Sequence, residues 1–147
     1  MPKLMPHPLR AGELGALKAA LARAQLPTAD VEAPGHLFWR FETNDDVPVG
    51  FAGLEVHGED ALLRSLVTLP PVRGRGIGAE MVAALEFEAR LHGCRSLWLI
   101  TTAAADFFRR LGYARCERAA VPPAIRETEE FSTLCPASAD VLMKTLA

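Results

Sequence analysis

The chain has 147 residues, of which 50% are apolar and 23% are charged, so its size suits one domain (residues 1–147) and its composition excludes a disordered chain. Its 16 Lys and Arg residues against 18 Asp and Glu residues give a formal net charge of −2, which excludes the general positive field of a nucleic-acid-binding protein. The arginines cluster locally, a pattern that fits a small anion, at Arg64, Arg73, Arg75 and 109–110.

The three cysteines favour a reduced protein of the cytoplasm, because their number is odd and no CxxC spacing occurs. No run of about 18 apolar residues suggests a membrane span. Prolines stand in the N-terminal MPKLMPHPLR where a signal peptide carries its apolar stretch. The four histidines show no metal-ligand spacing, so we expect no metal site. We expect a cytoplasmic protein that binds neither membranes nor nucleic acids.

In the first half of the chain, apolar spacing predicts helices followed by an antiparallel meander. Leu14, Leu17 and Leu21 stand at helical spacing and predict a helix over 11–25. The segment TADVEA, residues 28–33, predicts a short helix capped by Thr28. Three strands separated by turn residues follow, at 36–42, 48–57 and 61–69. The third strand carries apolar residues on both sides, so we expect both faces of the sheet to be covered.

In the second half, helices alternate with strands. An amphipathic helix is predicted over 78–91 and ends at Gly93. The remaining predicted elements are a buried strand at 95–101, a helix at 103–111, a strand at 113–118, a proline-led helix at 122–131 and a strand at 139–146. This order predicts an α/β (α+β) fold with a mixed central sheet and helices on both faces.

The loop PVRGRGIGAE, residues 71–80, joins a predicted strand to a predicted helix through three glycines. The first N–H groups of a helix have no intrahelical acceptor, and the helix dipole adds positive charge there. Gly74, Gly76 and Gly78 let successive N–H groups converge with no side chain in the way. A phosphate or pyrophosphate suits such a loop. The loop lacks the motifs of dinucleotide and nucleoside-triphosphate sites.

Two motifs in the right order make the sequence resemble the GNAT acetyltransferase superfamily. Arg73-x-x-Gly76-x-Gly78 is similar to the family signature R/Q-x-x-G-x-G/A, and DFFRRLGY at 106–113 resembles its FYxxxGF motif. The predicted element order resembles the GNAT acyl-CoA N-acyltransferase fold over nearly the whole chain. The run IRETEEFSTLCPASA, residues 125–139, resembles N-acetylglutamate-synthase-like acetyltransferases and, most closely, small acetyltransferases of arsenic-resistance operons.

The resemblance implies acetyl-CoA as cofactor. It implies that main-chain N–H groups of the glycine loop hold the pyrophosphate and that the strand before the loop runs beside the pantetheine arm. One N–H group of that strand would polarise the acetyl carbonyl, a contact worth about 3 kcal/mol of activation free energy. The implied cofactor contacts are Leu66, Val67, Thr68, Arg73, Gly74, Arg75, Gly76, Ile77, Gly78, Phe107 and Arg110.

The proton transfers depart from the family pattern. The tyrosine that usually protonates the leaving thiolate is replaced by Phe108, and Tyr113 falls where the family has a packing aromatic residue. Water or another residue then protonates the thiolate, or the thiolate leaves unprotonated. Glu55 and Asp60 are candidate bases, with a solvated charge as the alternative for each.

Arg64 stands in an apolar strand, where an arginine needs an anion. The anion is either Glu55, across the meander, or the carboxylate of an acceptor, for which Arg126 is a second candidate. The resemblance implies transfer to the amine of a small amino acid or amino-acid analogue, and it is compatible with a homodimer. The alternatives are a protein N-acetyltransferase and a CoA-binding or ligand-sensing module that has lost catalysis.

Overall fold

The structure of the chain is a computed structural model that describes residues 4–69, 76–129, 131–132 and 138–146. Seven strands form one sheet in the order β1-β2-β3-β4-β5-β7-β6. Their bounds are β1 Met5–Pro8, β2 His36–Glu42, β3 Pro48–His57, β4 Asp60–Thr68, β5 Ser96–Thr101, β6 Ala114–Cys116 and β7 Asp140–Thr145. Neighbouring strands are antiparallel except β4 and β5, which are parallel.

Four α-helices accompany the sheet in the described parts of the chain. They are α1 Gly15–Arg23, α2 Ile77–Leu91, α3 Ala105–Arg110 and α4 Pro123–Arg126, with 3-10 turns at Ala11–Glu13 and Arg118–Ala120. The connection from β4 to β5 contains α2, because parallel neighbours need a crossover rather than a hairpin. None of the helices in these parts of the chain has the length and apolar character needed to cross a membrane.

Alternation along the strands places the helices on opposite faces of the sheet. On β4, Leu63 packs in the same cluster as Met81 of α2, whereas its neighbour Leu62 packs with Ile125 of α4. On β2, Trp39 belongs to the α2 cluster and Phe38 packs against α1. Successive side chains of a strand point to opposite faces, so α2 lies on one face, and α1 and α4 lie on the other. The prediction of a mixed sheet covered on both faces is confirmed.

The N-terminal strand β1 was not predicted. It pairs antiparallel with β2, from Met5 opposite Glu42 to Pro8 opposite Trp39. Its two prolines argue against a strand because proline has no N–H to donate. They are tolerated because β1 is the edge of the sheet, where one side of the strand needs no partner.

The prediction of a helix over 28–33 is wrong. Its backbone makes turns, with the N–H of Val31 bonded to the Thr28 carbonyl and the N–H of Ala33 bonded to the Asp30 carbonyl. Asp30 is buried at 3% exposure and is bonded to Arg64 of β4, so a tertiary ion pair and not local propensity sets this conformation. The predicted helix over 122–131 is also shorter than expected, since α4 contains only four residues.

Candidate functional site

The sheet opens between its two parallel strands. β4 pairs with β5 only from Asp60, opposite Ser96, to Leu62, opposite Trp98. β4 then continues to Thr68 with no further pair in this register, while β5 continues to pair with β7 as far as Thr101. A gap therefore opens toward the carboxyl ends of both strands, which is the end of a parallel strand pair where ligands usually bind.

A β-bulge in β4 lies at this gap. The register with β3 passes from Gly53 opposite Arg64 to Phe51 opposite Val67, so Ser65 and Leu66 together oppose one residue of β3. Ser65 has a left-handed φ of 58°. An extra residue bends its strand and re-aims the groups beside it, which accounts for the separation of β4 from β5.

The gap holds a cavity of about 370 Å³, which we call the strand-gap cavity. The end of α1, the bulge of β4, the end of β5 and the start of α3 line it, including Gln25, Ser65, Thr101 and Phe108. Arg64 is the one charged residue among the described residues of its wall. The wall is otherwise apolar or neutral and polar, so it suits a small ligand with few charges.

A second cavity, of about 330 Å³, lies at the start of α2, and we call it the helix-start cavity. It is lined by Leu66, Thr68, Gly76, Ile77, Gly78, Ala79 and Phe107. Leu66 and Phe107 belong to the walls of both cavities, so the two are adjacent. One elongated ligand can therefore occupy both.

Glycines keep the helix-start cavity open. Gly76 precedes α2 with a left-handed φ of 75°, which glycine adopts without the strain of a side chain. A Cβ on Gly78 would lie 3.2 Å from Cζ of Phe107, so glycine lets the ring approach the helix. The first N–H groups of this 15-residue helix and the positive end of its dipole face this region, as an anion requires. Arg73, Gly74 and Arg75, predicted for the same site, lie outside the described residues.

Arg64 is fixed by two carboxylates. Its guanidinium donates through Nη2 to Oδ1 of Asp30 at 2.6 Å and through Nη1 to the other Asp30 oxygen. Nη1 also donates to Oε2 of Glu55 at 3.0 Å. The ion pair with Glu55, one of the two alternatives for Arg64, is confirmed. Burial alone raises the pKa of Asp30, but the hydrogen bonds and charge of Arg64 outweigh it and hold that pKa below its ordinary value.

Glu55 lies behind the strand-gap cavity and does not form part of its wall. It is 4% exposed, and its Oε1 lies 3.2 Å from Nε2 of His36 and 3.5 Å from Nε2 of His57. Asp30, His36 and Glu55 offer ligand atoms within 4.8 Å of one another, a cluster the sequence spacing did not predict. The Arg64 guanidinium donates to both carboxylates of this cluster, so an arginine already supplies the cation there.

Tyr113 is held away from acid-base chemistry at the cavity. Its hydroxyl donates to Oε2 of Glu86 at 2.8 Å, and Lys144 Nζ lies 3.1 Å from the same oxygen. Burial first, and then the charge and hydrogen bond of Glu86, raise the pKa of Tyr113 far above its usual range. Phe108 lies edge-on to Tyr113 and is itself part of the strand-gap cavity wall. At the motif position where the family usually has a tyrosine, the cavity wall is therefore formed by the Phe108 ring, which has no hydroxyl.

The other predicted residues are dispersed. Val67 is buried in the α1 cluster and lines neither of the two cavities. Arg110 lines an open recess of about 680 Å³ with Arg109, Tyr113 and Arg115, beyond α3. Arg126 is exposed at the end of α4 and belongs to neither cavity wall. Asp60 stands at the opposite end of β4 from the cavity, where it accepts a hydrogen bond from Nε1 of Trp98 at 3.1 Å.

Sequence reasoning missed three residues at the site. Asp30 pairs with an arginine 34 positions away, and no local pattern marks that pairing. Gln25 and Ser65 have left-handed φ values of 59° and 58°, a conformation that glycine usually occupies. Their spacing gives no signal, and only the backbone of the folded chain shows that both line one cavity.

Comparisons with known proteins agree with this geometry. The sequence model of the Acetyltransferase (GNAT) family matches residues 10–113. N-acetylglutamate synthase from Neisseria gonorrhoeae, solved with coenzyme A and N-acetyl-glutamate, superposes with a TM-score of 0.81 at 16% identity over 98% of this chain and 35% of that one. This chain thus spans about a third of that enzyme.

Two further solved structures match over nearly their full length. Rv2747 from Mycobacterium tuberculosis, in a complex with CoA, gives a TM-score of 0.77 at 21% identity over 97% of this chain and 99% of that one. The ribosomal-protein-S18-alanine N-acetyltransferase from Escherichia coli gives 0.73 at 18% identity over 98% and 94%. No curated protein matches the sequence. At these identities the structures show the fold, and the match of the family model over most of the sequence shows that the chain belongs to the GNAT family of acetyltransferases.

Proposed function

We propose that the chain is an acetyl-CoA-dependent N-acetyltransferase that acts on the amine of a small amino acid or amino-acid analogue. The family uses acetyl-CoA, whose thioester supplies an activated acetyl group. One observation carries the proposal: a glycine-lined cavity at a helix start adjoins a second cavity between two separating strands. An anionic carrier with a long arm fits this arrangement.

The described residues fit that carrier. The helix start at Gly76, Ile77 and Gly78 would receive the pyrophosphate, and Arg73, Gly74 and Arg75 are assigned to it on the sequence motif alone. Leu66 and Phe107, in both walls, would contact the arm where it passes between the cavities. Thr68 lines the helix-start cavity, and Arg110 would meet the far end of the carrier from α3. Val67 would contribute only its main chain, because its side chain packs under α1.

The acceptor would enter the strand-gap cavity. Arg64 is the one charged residue among the described residues of its wall, and its proposed contact with an acceptor carboxylate requires a shift of the guanidinium, because the side chain is 0% exposed. Asp30 and Glu55 already neutralise much of the Arg64 charge, so we expect an acceptor that bears a carboxylate to be preferred only modestly over one without it. Glu55 does not reach the cavity wall. If it acts as the base, it would therefore receive the amine proton through an intervening group and not directly. Arg126 remains a candidate for acceptor binding on the sequence alone.

The synthase solved with N-acetyl-glutamate supports an amino-acid acceptor, whereas the ribosomal-protein-S18-alanine N-acetyltransferase supports a protein acceptor. The kinship with arsenic-operon acetyltransferases stays a proposal from the sequence at 125–139, of which 130 and 133–137 lie outside the described residues. The alternative of a CoA-binding module without catalysis is favoured by one observation, the missing hydroxyl at Phe108.

Release of free CoA from acetyl-CoA tests the proposal, with amino acids, their decarboxylated amines and short peptides as acceptors. We expect turnover with amino acids, several-fold above the matching amines. Turnover with peptides alone would favour a protein acetyltransferase, and CoA binding without turnover would favour the module. A Gly78→Val variant should lose CoA binding because its side chain meets Phe107 in the helix-start cavity. Gly12→Val, which has no atom within 4 Å of a Cβ, is the matched control.

A further inference from the structure

Two non-glycine residues with a left-handed backbone conformation line one cavity. Among the described residues, Gln25, Asp46 and Ser65 are the non-glycine residues with a left-handed φ. Asp46 lies in a hairpin turn, where aspartate adopts this conformation readily. Gln25 and Ser65 both line the strand-gap cavity. Strained backbone conformations cluster at functional sites, so the side chains at these two positions are candidates for a functional role.

Ser65 is the sharper case, because it lies inside a strand and is 8% exposed. A glycine would adopt the same φ without strain. The hydroxyl is therefore the group that distinguishes serine from the residue this backbone favours. Its Oγ accepts a hydrogen bond from Nε of Arg64 at 3.1 Å.

This contact directs the hydroxyl hydrogen. Arg64 can only donate, so the Ser65 oxygen is the acceptor and its own hydrogen is available to another group. Ser65 donates no hydrogen bond to any residue in the described parts of the chain. Asp30 and Glu55 hold the guanidinium in place, which fixes the Ser65 oxygen at the cavity wall. A hydroxyl that accepts from a cation is polarised and becomes a stronger donor.

We propose, resting on the acetyltransferase function above, that the Ser65 hydroxyl donates a hydrogen bond to the leaving thiolate in place of the hydroxyl absent at Phe108. Both residues line the strand-gap cavity. The C–N bond forms as the C–S bond breaks, and the electron pair remains on sulfur. The proton of the amine passes to solvent. Ser65 keeps its own proton, as expected of a hydroxyl that is far less acidic than a thiol.

The test compares Ser65→Gly with Asp46→Gly. Both replace a left-handed residue by glycine, which relieves backbone strain. Ser65→Gly also removes the acceptor of Arg64 Nε, so urea unfolding of both variants is measured first and kcat is compared where each variant is folded. We expect Ser65→Gly to lower kcat about ten- to a hundred-fold, the range for losing a hydrogen bond to a charged group. Asp46 is not among the residues that line the cavity, so Asp46→Gly should keep the wild-type rate. In Ser65→Gly, adding Phe108→Tyr should restore part of the rate.

A second readout needs no turnover. The thiolate absorbance of CoA bound to the protein gives the pKa of its thiol, which we expect Ser65→Gly to raise by about one unit. An unchanged thiol pKa and kcat in Ser65→Gly would overturn the inference. A large loss of CoA affinity with no pKa change would overturn it too, since Ser65 would then serve binding. If no amine supports turnover in the wild type, the proposed function fails, while the thiol titration still decides the role of Ser65.

Discussion

The buried pair of Asp30 with Arg64 should be one of the costliest single contacts to remove. Both side chains are 0% exposed, and Asp30→Ala deletes two hydrogen bonds to a guanidinium that keeps its bond to Glu55. At roughly 1.5–3 kcal/mol for each hydrogen bond to a charged group, the two bonds give a loss of about 3–6 kcal/mol, which overlaps the range of about 3–5 kcal/mol for breaking a buried ion pair. Against a total stability of about 5–15 kcal/mol this is a large fraction.

Urea unfolding followed by the fluorescence of Trp39 and Trp98, both buried, measures this loss. Asp106→Ala is the matched control, because Asp106 and its partner Arg109 lie 3.8 Å apart with side chains 82% and 58% exposed. Such a surface pair contributes about 0–1 kcal/mol. If Asp30→Ala fails to fold, Asp30→Asn, which keeps the shape but loses the charge, should show roughly half the effect. A cost for Asp30→Ala no larger than that of Asp106→Ala would refute the reasoning.

The contribution of Asp30 also sets a pH dependence. Because Arg64 lowers the folded pKa of Asp30 below 3.8, the carboxylate stabilises the fold fully above that pH. The stabilisation is lost as the pH falls through the folded pKa. The difference in unfolding free energy between wild type and Asp30→Ala should therefore be constant near neutrality and shrink in acid below about pH 4. A difference that grows in acid would show that another group carries the effect.

Three further substitutions test other parts of the structure. Tyr113→Phe should lower the unfolding free energy in urea by only about 1–2 kcal/mol, because Glu86 keeps its ion pair with Lys144. The rate of acetyl transfer should stay within about twofold of wild type. A tenfold drop in rate in a stable variant would show that Tyr113 acts as the acid. Gly50→Ala should cost at least about 1–3 kcal/mol, because its Cβ would lie 2.4 Å from the Val67 carbonyl oxygen, while Gly12→Ala stays neutral. Gly76→Ala should weaken CoA binding, measured by calorimetry. Gly35→Ala is the control, because Gly35 has a similar left-handed φ of 84°; both variants should lose roughly 1–2 kcal/mol of stability to backbone strain, but only Gly76→Ala should lose CoA affinity. Equal CoA affinity in the two variants would show that Gly76 is not part of the site.

Local patterns in the sequence predicted the frame of the site. The glycines of the loop before α2 indicate an anion site because they stand between a predicted strand and a predicted helix start. The strands of the meander and α2 begin and end within one or two residues of their predicted bounds. Period-two and helical spacing determine such elements locally, so a single sequence suffices for them.

Long-range contacts could not be predicted in the same way. Arg64 clearly needed an anion, and Glu55 was a natural choice on the neighbouring strand, but Asp30 enters from a turn that local propensity favours as a helix. Glu86 of α2 is 7% exposed and accepts hydrogen bonds from Tyr113 and Lys144, an arrangement that no local pattern of the sequence indicates. Both acids are buried because a distant partner offsets the cost of burial, and that partner is known only once the chain is folded.

The short ladder between β4 and β5 has a mechanical consequence. Three residue pairs join two blocks of sheet, so thermal opening of this seam requires few hydrogen bonds to break. Amide hydrogens near the bulge should exchange with deuterium through local fluctuations, well before those in the centre of β3. A bound thioester that bridges the seam would slow this exchange on both blocks at once, including amides that the ligand never touches.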